Sequence, residues 1–275
     1  MLGETIKDFR LLQHYDSYDF TRLFIAEHVL IKTKAIIRVL DSAIATRPLA
    51  VDRFFSAALA ANLVKHAGVV RIYDAGVHRG SPYLIEELRD GETLARRIRD
   101  GNPMPLDEVA NLCRQITSIL FAMRRAQLVH CDLKPRHIFL AHDAELDPRP
   151  RVMIGNFLFA KSQHAILPDA VAGTPPYMAP ERWENPSAAS TATDVYALGC
   201  ILFELCCGRR PFHGAAVDDY IQLHTNQIAP RARDLLPSLP VALDELIAEM
   251  LAKDPAHRPS LETLETRFAA AQTWH

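Results

Sequence analysis

The run Val195 to Cys207 constrains this chain most, because it is apolar nearly all round and broken by a single charged residue, Glu204. It is too short to cross a bilayer, which takes about 20 apolar residues. It therefore reads as a helix buried at the centre of a soluble protein. Such a helix needs other elements around it. With 275 residues, 49% of them hydrophobic, the chain is long enough for one cooperative domain or two lobes.

Charge and cysteine usage narrow the class further. A net charge of −2 gives no global basic field for nucleic acid or an anionic membrane. Arg96-Arg97 and Arg209-Arg210 read as solvated faces. Five cysteines, an odd number without CxxC spacing, point to free thiols in a reducing compartment. Cys113, Cys200, Cys206 and Cys207 lie in apolar helical runs and read as small core filler. The opening MLGETIKDFR lacks the apolar stretch of a signal peptide. The expectation is a cytoplasmic protein with no membrane insertion.

Residues 9 to about 88 are mostly strand-like. Leu23 to Leu30 and Lys34 to Leu40 are joined by a short connection, and strands at about 69–77 and 82–88 flank the turn His78-Arg79-Gly80-Ser81. Between them Val51 to Lys65 has helical spacing, with Phe54, Phe55, Ala58, Leu59 and Leu63 on its apolar side. From Gly91 helices dominate. Leu106 to Arg125 carries Val109, Leu112, Cys113, Ile116, Leu120 and Met123 on one stripe, and Ala242 to Leu251 and Leu261 to Ala270 follow later. Glu145 to Arg151, with two prolines, reads as a loop insertion, and Trp274 is expected to dock on the helical part.

Four segments carry chemistry: His130-Cys131-Asp132-Leu133-Lys134-Pro135-Arg136-His137, Gly173-Thr174-Pro175-Pro176-Tyr177-Met178-Ala179-Pro180-Glu181, Asp194-Val195-Tyr196-Ala197-Leu198-Gly199 and Asp254-Pro255-Ala256-His257-Arg258-Pro259. Together they resemble motifs of the eukaryotic-type (Hanks-type) Ser/Thr protein kinase family, in a bacterial-like member, over Phe9 to about Phe268. The resemblance implies an α+β bilobal fold in one domain, 1–275. An N-terminal antiparallel sheet plus one helix (about 1–88) would precede a mostly helical lobe (about 89–275). It also implies a Glu181–Arg258 ion pair, and Asp194 accepting amide bonds from the loop around Asp132. Those three residues are scaffold, and losing one partner of such a buried pair costs about 3–5 kcal/mol. Asp132 and Lys134 match the family's catalytic positions. Asp132 is either the base that takes a substrate hydroxyl proton or a carboxylate tied to loop backbone and Lys134.

The nucleotide side departs from the family pattern. Phosphoryl transfer needs a glycine-rich loop, a Lys–Glu pair and two metal ligands. A gap-free alignment puts Asp16, Tyr18 and Thr21 at the glycine positions, although only glycine lets the backbone approach phosphates so closely. Phe20 matches the aromatic of that turn. Ala35-Ile36-Ile37-Arg38 replaces V-A-I-K, and the helix Glu is Ala57; a planar fork is no simple stand-in for an ammonium. The metal positions read His137 and Asn156, the latter within Asn156-Phe157-Leu158, whereas magnesium wants hard anionic oxygens. Ile36 above and Phe139 below would fill an adenine slot. Glu86 stands where an apolar residue is usual, and an unpaired buried carboxylate is costly, so a pair with Arg38 is expected. Cys131 cannot hold a phosphorylated loop as the family Arg does, so control by activation-loop phosphorylation is not expected.

These departures make the leading expectation a pseudokinase, acting as a scaffold or allosteric regulator on a protein partner: an active kinase, a substrate or a second copy of itself. Neither metal nor cofactor is expected. One alternative is a weak or atypical ATP-dependent Ser/Thr kinase using Asp132, Lys134 and Arg38. Another is a sensor binding ATP without magnesium, with Arg38, Glu87 and Leu88 as nucleotide contacts along the hinge Glu87 to Arg89.

Overall fold

The computed structural model describes residues 1–142, 149–162 and 173–270. They fall in two compact units, Met1–Asp90 with Asn156–Leu158 and Gly91–Gly155 with Phe159–His275. The architecture is α+β, with an N-terminal antiparallel sheet and a helical C-terminal region.

In the first unit, strands β1 (Thr5–Ile6), β2 (Phe9–Tyr18), β3 (Thr21–His28), β4 (Lys34–Leu40), β5 (Ile72–His78) and β6 (Ser81–Glu87) form a six-stranded sheet in the order β1-β2-β3-β4-β6-β5. Each neighbouring pair is antiparallel. Alternation sorts the side chains by face. Ile37 and Val39 of β4 and Tyr83 and Ile85 of β6 join Ile6, Leu11 and Phe24 in one cluster. Leu40 and Leu84 pack instead with Phe54 and Ala58 of a helix. The same alternation places Arg38 and Glu86 on that second face. Arg38 is opposite Leu84 and Ile36 opposite Glu86, so the two charged side chains are diagonal neighbours within reach of each other.

That helix, α2, spans Pro48–Leu63 after the short α1 (Ser42–Ala45). Its start, earlier than Val51, follows from the proline in its first turn. Its apolar side differs from the sequence expectation. Phe54, Ala58 and Ala61 are buried, whereas Leu59 and Leu63 are 69% and 61% exposed. Asn62 fixes the rotation, because its side-chain amide bonds both Ile72 O (3.2 Å) and Ile72 N (3.4 Å) at the start of β5. With Asn62 turned to the sheet, its neighbours Leu59 and Leu63 face water.

The second unit is built on α4 (Leu106–Arg125) and α6 (Thr191–Cys207), with β7 (Gly91–Thr93) and α3 (Leu94–Arg97) leading in. Strands β8 (Leu128–Val129), β9 (Ile138–Ala141), β10 (Arg151–Ile154) and β11 (Lys161–Ser162) make two small sheets, β10-β9-β7 and β11-β8. Then come α5 (Pro180–Glu184), α7 (Val217–Thr225), α8 (Ala232–Leu235), α9 (Val241–Met250) and α10 (Leu261–Ala269). Helix α6 is buried from Thr193 through Phe203, as its all-round apolarity demands, and packs on α4 and α9, while α10 packs on α4. A capping box at Ser190 starts it and Gly208, in the left-handed region at φ 69°, ends it.

Arg151, placed in a loop from the sequence, instead opens β10 opposite Ala141; residues 145–148 of that loop, and Trp274, lie outside the described residues. All five cysteines are free thiols. Burial pushes the Cys113 thiol up to about 12, which suits filler rather than reactivity. Among the described residues no helix is long and apolar enough to cross a membrane.

Candidate functional site

In the first unit, Arg38 is 3% exposed and makes four side-chain hydrogen bonds within its own unit. Its Nε donates to Glu86 Oε1 at 2.5 Å and its Nη2 to Glu86 Oε2 at 3.3 Å. Nη1 donates to Thr21 Oγ1 (3.3 Å) and Nη2 to the Tyr18 hydroxyl (3.1 Å). The guanidinium also lies 5.2 Å from the Tyr18 ring centroid. A second guanidinium, Arg89, donates to Glu86 Oε2 at 3.2 Å. The expected Arg38–Glu86 pair is therefore present, within a larger cluster. Burial alone would raise the Glu86 carboxyl, but Arg38 and Arg89 outweigh it and hold it below the ordinary value of 4.5.

Tyr18 and Thr21, at two of the glycine positions, thus contribute oxygens to Arg38. Hairpin β2–β3 turns on Asp19 (φ 50°) and Phe20 (φ 61°), both left-handed as a two-residue primed turn requires. Phe20 points outward, 65% exposed. Asp16, at the remaining glycine position, accepts a bond from Ser17 N at 2.7 Å. Asn156 also belongs to this unit. It sits in the left-handed region (φ 61°), which asparagine tolerates, and its Nδ2 donates to Asp19 Oδ2 at 2.8 Å. Ile36 is fully buried in β4. Glu87 pairs its amide with Arg71 O at 2.9 Å, and its carboxylate meets Arg71 N at 3.4 Å; Leu88 is half-buried.

In the second unit the loop around Asp132 is ordered by Asp194. Its carboxylate accepts from His130 N (2.7 Å) and Cys131 N (3.0 Å), holding Cys131 in the left-handed region at φ 65°. Burial pushes the Asp194 carboxyl up to about 7 against those two amide bonds and the nearby Arg182. His130 donates through Nε2 to Gly155 O (3.2 Å) and accepts from Asp132 N (3.3 Å). Burial holds it down at about 3, hence neutral. The Asp132 carboxylate accepts from Thr174 Oγ1 at 2.7 Å, and Lys134 Nζ lies 3.1 Å from its other oxygen while donating to Thr174 at 2.6 Å. The side chains that meet this carboxylate are thus Thr174, Lys134 and the His137 ring, whose Nδ1 lies 3.5 Å from the same oxygen as Lys134. His137, fully buried, bonds through Nδ1 to Asp132 O at 2.9 Å, so the ring shapes the loop turn. Phe139 is buried in β9 opposite Thr93 and Met153.

The scaffold residues sit as their motifs imply. All five Arg258 donors are used: two to Glu181 at 2.8 Å each, and the others to Ala192 O, Ala252 O and Lys253 O. Sequence reasoning missed Arg89 and Asp19 as partners, and Thr174 as the bridge between Asp132 and Lys134. Thr174 lay inside a quoted motif; Arg89, three residues after Glu86 and next to β6, could have been read as a second cation for it.

A family model described as protein kinase domain matches residues 49–268. That span begins after the β2–β3 hairpin and the Arg38 strand. The chain is 32% identical over 262 residues to serine/threonine-protein kinase Pkn1 of Myxococcus xanthus, covering 94% of this chain and 37% of that protein. It is 29% identical over 275 residues to serine/threonine-protein kinase PrkC of Bacillus subtilis, covering 99% and 41%. It is 30% identical over 225 residues to PknL of Mycobacterium tuberculosis, covering 81% and 55%. The chain spans about 40% of the length of the first two. With the motif geometry and the family match in agreement, the chain belongs to the protein kinase domain family and has bacterial Ser/Thr kinases among its relatives.

Proposed function

We propose that this chain is a pseudokinase: a kinase fold without metal-dependent phosphotransfer, working in the cytoplasm as a scaffold or allosteric regulator for a protein partner, an active kinase or a second copy of itself. One observation carries the reading. Arg38, the charge that would meet nucleotide phosphates, is enclosed by Glu86, Tyr18 and Thr21. Releasing it would leave Glu86 with half its charge compensation in a buried site, a cost of several kcal/mol that nucleotide binding would have to offset. The altered ligand positions His137 and Asn156 add to this. Neither offers an anionic oxygen, and His137 spends Nδ1 on the Asp132 carbonyl. No resident metal or cofactor belongs to the reading.

A second reading, a weak Ser/Thr transferase, is favoured by one arrangement. Asp132, Lys134 and Thr174 are mutually bonded, which leaves a carboxylate and an ammonium ready for a hydroxyl substrate. Incubation with labelled ATP and magnesium or manganese separates the two. The pseudokinase reading expects incorporation no greater than in Asp132→Asn; incorporation that disappears in that variant would install the transferase. Metal-independent ATP binding without incorporation would instead favour a sensor.

A further inference from the structure

The segment Asn156-Phe157-Leu158 carries an amide where the family pattern has a metal-binding carboxylate, yet a carboxylate stands 2.8 Å from the Asn156 side chain. It belongs to Asp19, at the tip of the β2–β3 hairpin, where the family pattern has a loop built to receive phosphates. A carboxylate only accepts, so the Asn156 amide must present Nδ2 to it. The two residues share a second property. Both are left-handed, at φ 50° and 61°, a conformation that aspartate and asparagine tolerate and most side chains do not. Exchanging their side chains would therefore keep the backbone geometry at both positions.

Next to Asp19, Tyr18 binds Arg38 through its hydroxyl, and Thr21 both receives a bond from Arg38 and donates to Tyr18 O at 2.8 Å. The hairpin tip is thus bonded at two separated points of the same unit, Arg38 on β4 and Asn156 on the segment that rejoins from later in the chain.

We propose that Asp19 and Asn156 are an exchanged pair that fixes the β2–β3 hairpin on the unit's own side chains and bars a nucleotide phosphate from it. Asp19 does this twice over: it uses the Asn156 amide, and its negative charge repels a polyphosphate at the turn. The proposal deepens the pseudokinase reading and rests on it. It names the residues that exclude the nucleotide.

A charge-swap cycle tests it. Hydrogen exchange of the amides of residues 17–23 is followed in the wild type, Asp19→Asn, Asn156→Asp and the double swap. Asn156→Asp sets two carboxylates face to face, and the hairpin amides should exchange about tenfold faster or more, the scale of losing a hydrogen bond to a charged group. Asp19→Asn should fall between. The double swap restores one carboxylate and one amide, and should return exchange to within about twofold of the wild type. Should Asn156→Asp not fold, refolding in the double swap would support the pair equally. Equal exchange in all four proteins, or a double swap no slower than the faster single variant, overturns it. Adding ATP to the wild type separates the two levels. Protection of these amides by ATP would sink the pseudokinase reading, whereas a failed swap without any ATP effect removes only the exchanged pair.

Discussion

The Arg38 cluster of the first unit and the Asp132 loop of the second have diverged from the family pattern to different depths. Around Asp132 the partners of the motif are in place: Asp194 on the loop amides, Lys134 and Thr174 on the carboxylate, Arg258 on Glu181. Around Arg38 nearly every position has changed, and the new residues satisfy one another: Glu86 with Arg38 and Arg89, Tyr18 with Arg38, Asp19 with Asn156. The contrast teaches that a motif persists where it also holds the fold together. Asp194 and Arg258 are structural whether or not a phosphate is ever transferred, and removing them would strand buried polar groups. The glycine loop and the Lys–Glu pair serve a ligand, so they can be replaced once other side chains close the gap.

The contrast can be broken most strongly at Glu86. Glu86→Ala leaves two buried guanidinium groups, Arg38 and Arg89, without their shared carboxylate and should cost about 3–5 kcal/mol in urea unfolding; an unchanged midpoint would mean that the first unit holds no rebuilt network. Arg258→Met tests the second unit, and its loss of the Glu181 pair should cost about 3 kcal/mol. A finer test uses pH. The Glu86 carboxyl is held below its ordinary value, so its stabilisation is present above about pH 4.5 and disappears as pH falls through the lower folded value. Unfolding midpoints of the wild type and Glu86→Gln should therefore converge on acidification below about 4.5; a constant gap would assign the effect to shape rather than charge. The smallest effect belongs to the exposed side of α2. Leu59→Ser should change stability by less than about 0.5 kcal/mol, and a larger loss in thermal unfolding would show that this face is covered.

Much of this was legible in the sequence where one strong pattern governs. The stripe of α4 gave its ends, and the apolarity of α6 gave its central place. The Glu86–Arg38 pair was readable too, because a carboxylate at a position usually apolar demands a cation. What escaped was set by tertiary partners. The rotation of α2 is decided by Asn62 bonding to Ile72, which helical periodicity does not register. The Asp19–Asn156 contact joins residues 137 positions apart, and no local spacing announces it. Arg89 was read as part of a hinge because its position suggested one, whereas its partner lies three residues back on β6.

The central claim, that Arg38 is already taken and no nucleotide displaces its partners, is tested most directly by thermal unfolding of the intact chain with ATP alone, with magnesium and with manganese. A nucleotide at one hundred times its dissociation constant adds about 2.7 kcal/mol, several degrees for a chain of this size. The account predicts no shift under any of the three conditions. A metal-dependent rise of that size, absent in Arg38→Met, would contradict it.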